Sequence, residues 1–129
     1  MGDCMSGPCT IAIADDVEDI RQMMRFWLDA IGGEFEVVGE AADGEQAVAV
    51  ARKTKPQAMI LDLSMPKMDG LQAIPEIRKY SPRTKILVLS GFDAGSMSRR
   101  AITLGAHAYV EKGTSFSQLT DILRNLCAA

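Results

Sequence analysis

Four apolar runs in this chain end abruptly in polar residues, and stretches of helical periodicity separate them. Thr10-Ile11-Ala12-Ile13-Ala14 ends in Asp15-Asp16, Ala58-Met59-Ile60-Leu61 in Asp62, and Ile86-Leu87-Val88-Leu89 in Ser90. Ala108-Tyr109-Val110 leads through Glu111 to Lys112. Short apolar runs bounded by turn residues read as buried strands, and their alternation with helices implies one mostly parallel sheet. Parallel strands carry their carboxyl ends to one edge, where open α/β folds place their sites. Three carboxylates, a hydroxyl and an ammonium, far apart in sequence, are therefore expected in one pocket.

The intervening segments fit this plan. Val17, Ile20, Met24, Trp27, Leu28 and Ile31 recur at helical spacing, which predicts a buried face including Trp27, and Gly32-Gly33 ends that helix. Residues 35–41 alternate more and predict an edge strand. Asp43-Gly44-Glu45-Gln46 starts a helix that runs to about Thr54, where Lys55-Pro56 stops it. Residues 65–70 read as a loop before a helix burying Leu71, Ile74 and Ile77, with Pro75 confined to its first turns or bending it. Met97, Ala101 and Leu104 predict the inward face of a short helix. The fifth strand runs from about His107 to Glu111. Ser115-Phe116-Ser117-Gln118 is a capping box for a last helix burying Phe116, Leu119, Ile122, Leu123 and Leu126.

The 129 residues fit one domain at 10–129, preceded by a flexible tail at 1–9. A net charge of −3 gives no electrostatic reason to expect direct nucleic-acid binding. No apolar run approaches the roughly 18 residues of a membrane span, and no signal peptide is legible. Cys4, Cys9 and Cys127 match no zinc spacing, so reduced thiols in a cytoplasmic setting are the simplest reading. His107, the single histidine, reads as a partly exposed strand residue, and the eight methionines as core filler.

An acid after a strand is ordinary on its own, as a turn or cap residue. Three converging acids are not ordinary. At an effective dielectric of about 20, two unit charges about 4 Å apart repel by roughly 4 kcal/mol, so such a cluster raises its own pKa values or recruits a cation. Mg²⁺ suits, because it takes one or two carboxylates and leaves room for a phosphoryl oxygen. Lys112 and Ser90 add an ammonium and a hydroxyl around an aspartate able to act as a nucleophile toward phosphorus. No P-loop or G-x-G-x-x-G pattern is present.

Asp15-Asp16, Asp62, Pro66, Gly70, Ser90, Tyr109 and Lys112, with their spacing, resemble the signature of the response-regulator receiver domain of two-component signalling. The resemblance spans about residues 10 to 127. It implies a flavodoxin-like, doubly wound α/β fold: a five-stranded parallel sheet in the order 2-1-3-4-5 with five helices. It implies that Asp62 accepts a phosphoryl group from a sensor histidine kinase, a phosphotransfer protein or a small phosphodonor. Asp16, Asp62 and the backbone carbonyl of Ser64 would bind Mg²⁺, with Asp15 acting through water. Lys112 would pair with phosphoryl oxygens, and Ser90 and Tyr109 would form the switch. The surface of helix 4, strand 5 and helix 5 would meet an output domain or a second copy. Gly113 stands where many receivers have a cis proline. Ser64 and Phe92 occupy the places that set dephosphorylation rate, and neither suits holding the attacking water, which predicts a long-lived phosphorylated form. The chain is thus expected to be a switch whose only chemistry is self-phosphotransfer and autodephosphorylation. The alternatives are a degenerate receiver acting as an interaction module, and an aspartyl-phosphate phosphatase, which would want an acid where Ser64 stands.

Overall fold

The computed structural model describes residues 7–91 and 95–128. Strands and helices alternate as β1 (Cys9–Ala14), α1 (Glu18–Ala30), β2 (Phe35–Ala41), α2 (Gly44–Thr54), β3 (Ala58–Leu61), α3 (Gly70–Tyr80), β4 (Lys85–Ser90), α4 (Gly95–Leu104), β5 (Ala108–Glu111) and α5 (Phe116–Ala128). The strands pair in parallel in the order β2-β1-β3-β4-β5. This is the flavodoxin-like arrangement expected, with β2 at an edge.

Period-two alternation assigns the strand side chains to two cores. Ala12, Ala14, Met59, Leu61, Ile86 and Val88 face α2, α3 and α4 through Ala47, Ala51, Ala73, Ile74, Ile77 and Ala101. Ile11, Ile13, Ile60, Leu87 and Leu89 face α1 and α5 through Met24, Leu28, Leu119 and Leu123. Leu123 is fully buried, so its truncation to alanine would cost about 2–5 kcal/mol.

Local signals start and stop the helices. Asp43 caps α2 by accepting from the Gln46 amide at 2.8 Å, and Lys55 ends it in a left-handed conformation. Asp69 and Gln72 form a reciprocal capping box on α3, which contains Pro75 on its exposed side. Ser115 Oγ accepts from the Gln118 amide at 3.2 Å, the expected first half of a box on α5.

Several expectations are corrected. Cys9 belongs to β1, so the ordered sheet begins within the segment read as a tail, while residues 1–6 lie outside the described residues. Trp27 is 44% exposed and stacks on Phe116 at 4.8 Å, because α1 buries only the narrow stripe carrying Met24 and Leu28. Val17 and Leu104 are likewise exposed at the margins of their helices. Cys9 and Cys127 are joined in a disulfide with Cα atoms 6.2 Å apart, in place of the reduced thiols expected. They are 118 residues apart, and only the packing of α5 against β1 brings them together. Among the described residues, no helix is long and apolar enough to cross a membrane.

Candidate functional site

The carboxyl edges of β1, β3, β4 and β5 bring the expected residues together. Asp15 follows β1, and its amide donates to Ala41 O at 3.0 Å. Asp62 follows β3, and its amide donates to Ala14 O at 2.9 Å. These ladder-extending bonds fix both acids at the rim of the sheet. Both are buried, whereas Asp16 beside them is exposed. One carboxylate oxygen from each of Asp15, Asp16 and Asp62 lies within 4.8 Å of the others.

Lys112 reaches into this cluster from the end of β5. Its Nζ lies 3.4 Å from Asp15 Oδ2 and 3.5 Å from Asp62 Oδ2, with about a third of its side chain exposed. Its amide donates to Ser90 O at 2.7 Å, which couples the ends of β4 and β5. Ser90 is fully buried at the end of β4. Tyr109, partly buried on β5, packs against the same core as Met97 of α4. Gly113 follows Lys112 at φ +103°, a conformation that favours glycine, and no peptide bond among the described residues is cis.

The oxygens of the two buried acids are unequal. Asp15 Oδ1 accepts from the Val17 amide at 2.9 Å, at the start of α1, but among the described residues Oδ2 accepts no hydrogen bond. Lys112 attracts that atom by charge, at 3.4 Å. Asp62 Oδ1 accepts from the Ser64 amide at 3.2 Å, leaving Oδ2 toward Lys112. Burial holds the Asp62 carboxyl above the usual carboxylate range. The Ser64 amide opposes this shift, the Asp15 charge adds to it, and Lys112 opposes it. A buried oxygen without a donor, among three clustered acids, fits a hard divalent cation, and Mg²⁺ in particular.

Two further residues support the site: Arg21, which the sequence did not mark, and Gly70, which it marked only as part of the family signature. Arg21 Nη1 donates to the main-chain oxygen of Asp15 at 2.7 Å while its Nε binds Glu40 at 3.0 Å, tying α1 and β2 to the acidic loop. No spacing rule distinguishes Arg21 from a solvated helix arginine. Gly70 lets α3 approach the acceptor loop. A Cβ there would lie 2.5 Å from Asp62 O and 2.7 Å from Leu63 Cα. The Gly70 amide donates to Leu63 O at 2.9 Å. Ser64 is exposed beside Asp62, and Phe92 lies outside the described residues.

Comparison with known proteins gives a concordant result. Residues 11–124 match the family model described as the response regulator receiver domain. The chain is 42% identical over 109 residues to the uncharacterized transcriptional regulatory protein YhcZ of Bacillus subtilis, covering 84% of this chain and 50% of that protein. It is 35% identical over 114 residues to the response regulator protein VraR of Staphylococcus aureus, covering 88% and 54%. It thus spans about half the length of the curated relatives it matches. Among solved structures, a DNA-binding response regulator of the LuxR family from Staphylococcus aureus superposes with a TM-score of 0.83 at 28% identity, covering 92% of this chain and 98% of that one. The chemotaxis protein CheY4 of Vibrio cholerae superposes at 0.81 with 29% identity, covering 92% and 98%. The chain therefore belongs to the response regulator receiver domain family of two-component signalling.

Proposed function

We propose that this domain is a phosphorylation-dependent switch whose acceptor is Asp62. The observation that carries the proposal is the convergence of three carboxylates within 4.8 Å, with the Lys112 ammonium 3.5 Å from Asp62. Asp16, Asp62 and the Ser64 carbonyl would hold Mg²⁺, with Asp15 acting through water. Bound there, the cation would neutralise negative charge on the cluster and on an incoming phosphoryl group.

This chain's own residues do the rest. The Ser64 amide orients the Asp62 carboxylate, and burial raises its basicity. Lys112 gives the transferred oxygens a positive partner, and the buried Ser90 hydroxyl at the end of β4 adds a hydrogen bond. The incoming charge draws Ser90 and Lys112 toward Asp62, and Tyr109 follows inward. Because Tyr109 of β5 and Met97 of α4 pack against one core, this motion would reshape the surface of α4, β5 and α5. That surface would meet an output domain or a second copy of the chain. The relatives described as transcriptional regulators support a linked output in transcription. A cytoplasmic sensor histidine kinase or phosphotransfer protein would supply the phosphoryl group.

The test is incubation with acetyl phosphate and Mg²⁺, followed by intact-mass measurement. Wild type gains one phosphoryl mass and Asp62→Asn does not. A gain that persists in Asp62→Asn refutes the acceptor, and no gain in wild type favours the interaction-module alternative.

A further inference from the structure

We propose that Cys9 and Cys127 form a thiol–disulfide exchange site, opened by anionic low-molecular-weight thiols entering a basic cleft at the opposite edge of the sheet from the acidic pocket. The two residues are bonded, with a Cα separation of 6.2 Å, inside the usual disulfide range. Cys9 begins β1 and is 8% exposed, whereas Cys127, in the last turn of α5, is more accessible. Cys127 also lines a cleft of about 500 Å³ together with Lys55, Gln57, Arg83, Lys85 and Leu126. Gln57 exchanges hydrogen bonds with Thr10, the residue after Cys9, at 3.1 and 2.9 Å, so a wall of the cleft is tied to the strand that carries Cys9.

Charge and access give the site a direction. Among the described residues, three cationic side chains line the cleft and no carboxylate does. Lys55 also donates to the Tyr80 carbonyl, which holds it at the rim. On the far flank of α5, Arg124 is taken up by Glu34 and Asp121. Glutathione carries one more carboxylate than ammonium, so the cleft concentrates it. A thiolate entering there meets Cys127 Sγ first. Its attack forms a mixed disulfide on Cys127 and expels Cys9 as thiolate. A second thiolate attacks the external sulfur of that mixed disulfide, releasing oxidised glutathione and Cys127 thiolate. In reverse, Cys127 thiolate attacks oxidised glutathione and expels one glutathione thiolate. Cys9 thiolate then displaces the second and closes the bond. Two thiols are oxidised for each protein disulfide reduced, so electrons balance.

The bond has a structural consequence. It ties the start of β1 to the end of α5, whose Leu119 and Leu123 share a core with Cys9. Opening it releases the last turn of a helix on the face proposed for output. Disulfides in glutathione-rich compartments are usually transient and redox-sensing, which fits an exchangeable pair better than a permanent staple.

The experiment oxidises the full chain with glutathione disulfide and maps its disulfides by mass spectrometry. Reduction rates are then followed with glutathione and with cationic cysteamine, each normalised to thiolate concentration. A Cys9–Cys127 linked peptide is expected, with the same result in Cys4→Ser. Glutathione should open it within about an hour. The glutathione-to-cysteamine rate ratio should fall roughly tenfold in Arg83→Gln/Lys85→Gln, or on raising salt in wild type. A bond mapped to Cys4, a Cys127 found as thiol after oxidation, or a disulfide that millimolar glutathione leaves intact overturns the site. A rate ratio unmoved by both the variant and salt overturns the role of the cleft.

Discussion

Replacing Asp62 by asparagine should stabilise the metal-free domain while abolishing phosphoryl transfer. At an effective dielectric of about 20, Lys112 at 3.5 Å attracts the Asp62 carboxylate by about 5 kcal/mol, and each neighbouring acid, within 4.8 Å, repels it by at least about 3.5 kcal/mol. Asp16 is exposed, so its share is strongly screened, and the charge terms nearly cancel. Burial then decides the sign, in agreement with the raised Asp62 pKa. Asparagine keeps an oxygen for the Ser64 amide, so only the charge is lost. The expected gain at neutral pH is about 1–2 kcal/mol, or roughly 4–8 °C in Tm. The pH dependence is a stricter test. Because the native pKa lies above the ordinary value of 3.8, the native state binds more protons than the unfolded state as pH rises from there. Wild type therefore loses stability through that window, and Asp62→Asn does not lose this contribution. Urea unfolding of both proteins in chelator, from pH 3.5 to 7.5, should show a gap that opens with pH. Mg²⁺ at about 100 times its Kd should then stabilise wild type by about 2.7 kcal/mol and the variant by much less. A gap independent of pH, or a less stable variant at neutral pH, would refute the reasoning.

Asp16→Ala should weaken Mg²⁺ binding by more than about tenfold in calorimetric titration, since outer-shell partners alone are worth that much. Substituting Asp121 on the surface should leave it unchanged. Gly70→Ala should cost about 1–3 kcal/mol or more in urea unfolding and slow acetyl phosphate uptake, because its Cβ would overlap the Asp62 carbonyl oxygen at 2.5 Å. His107 Nδ1 accepts from the Ile86 amide at 3.0 Å, and burial, then Arg78 and Lys85, hold its pKa below 6.5. Its contribution is present above pH 6.5 and lost as pH falls through that value toward the native pKa. His107→Asn should remove that slope. Phosphorylated wild type should decay slowly, and Ser64→Asn with Phe92→Glu should decay roughly tenfold faster by helping to position a water.

Runs such as Ile60-Leu61-Asp62 and Leu89-Ser90 were readable in the sequence because they are local. A strand end is marked by the change from apolar to polar residues, and parallel connectivity then sets which edge that end occupies. Asp15, Asp16, Asp62, Ser90 and Lys112 were all found this way, and the family resemblance they carry implied the strand order. The cap at Asp43 and the stop at Lys55-Pro56 are local for the same reason.

Other features depend on what packs against what. Helical spacing placed Trp27 and Leu104 on apolar faces, but it does not show how wide a stripe the sheet covers, and both lie at its margin. The Cys9–Cys127 bond joins residues 118 positions apart, so only the docking of α5 onto the β1 side of the sheet reveals it. Arg21 holds the Asp15 carbonyl through a long side chain crossing from α1, and Gly70 matters because α3 passes against the acceptor loop. The residue pattern determined the chemistry at the strand ends, since a side chain's type and a strand's end are properties of the chain itself. Distances, burial and charge balance within the pocket were decided by tertiary structure, because they arise where segments remote in sequence exclude water together.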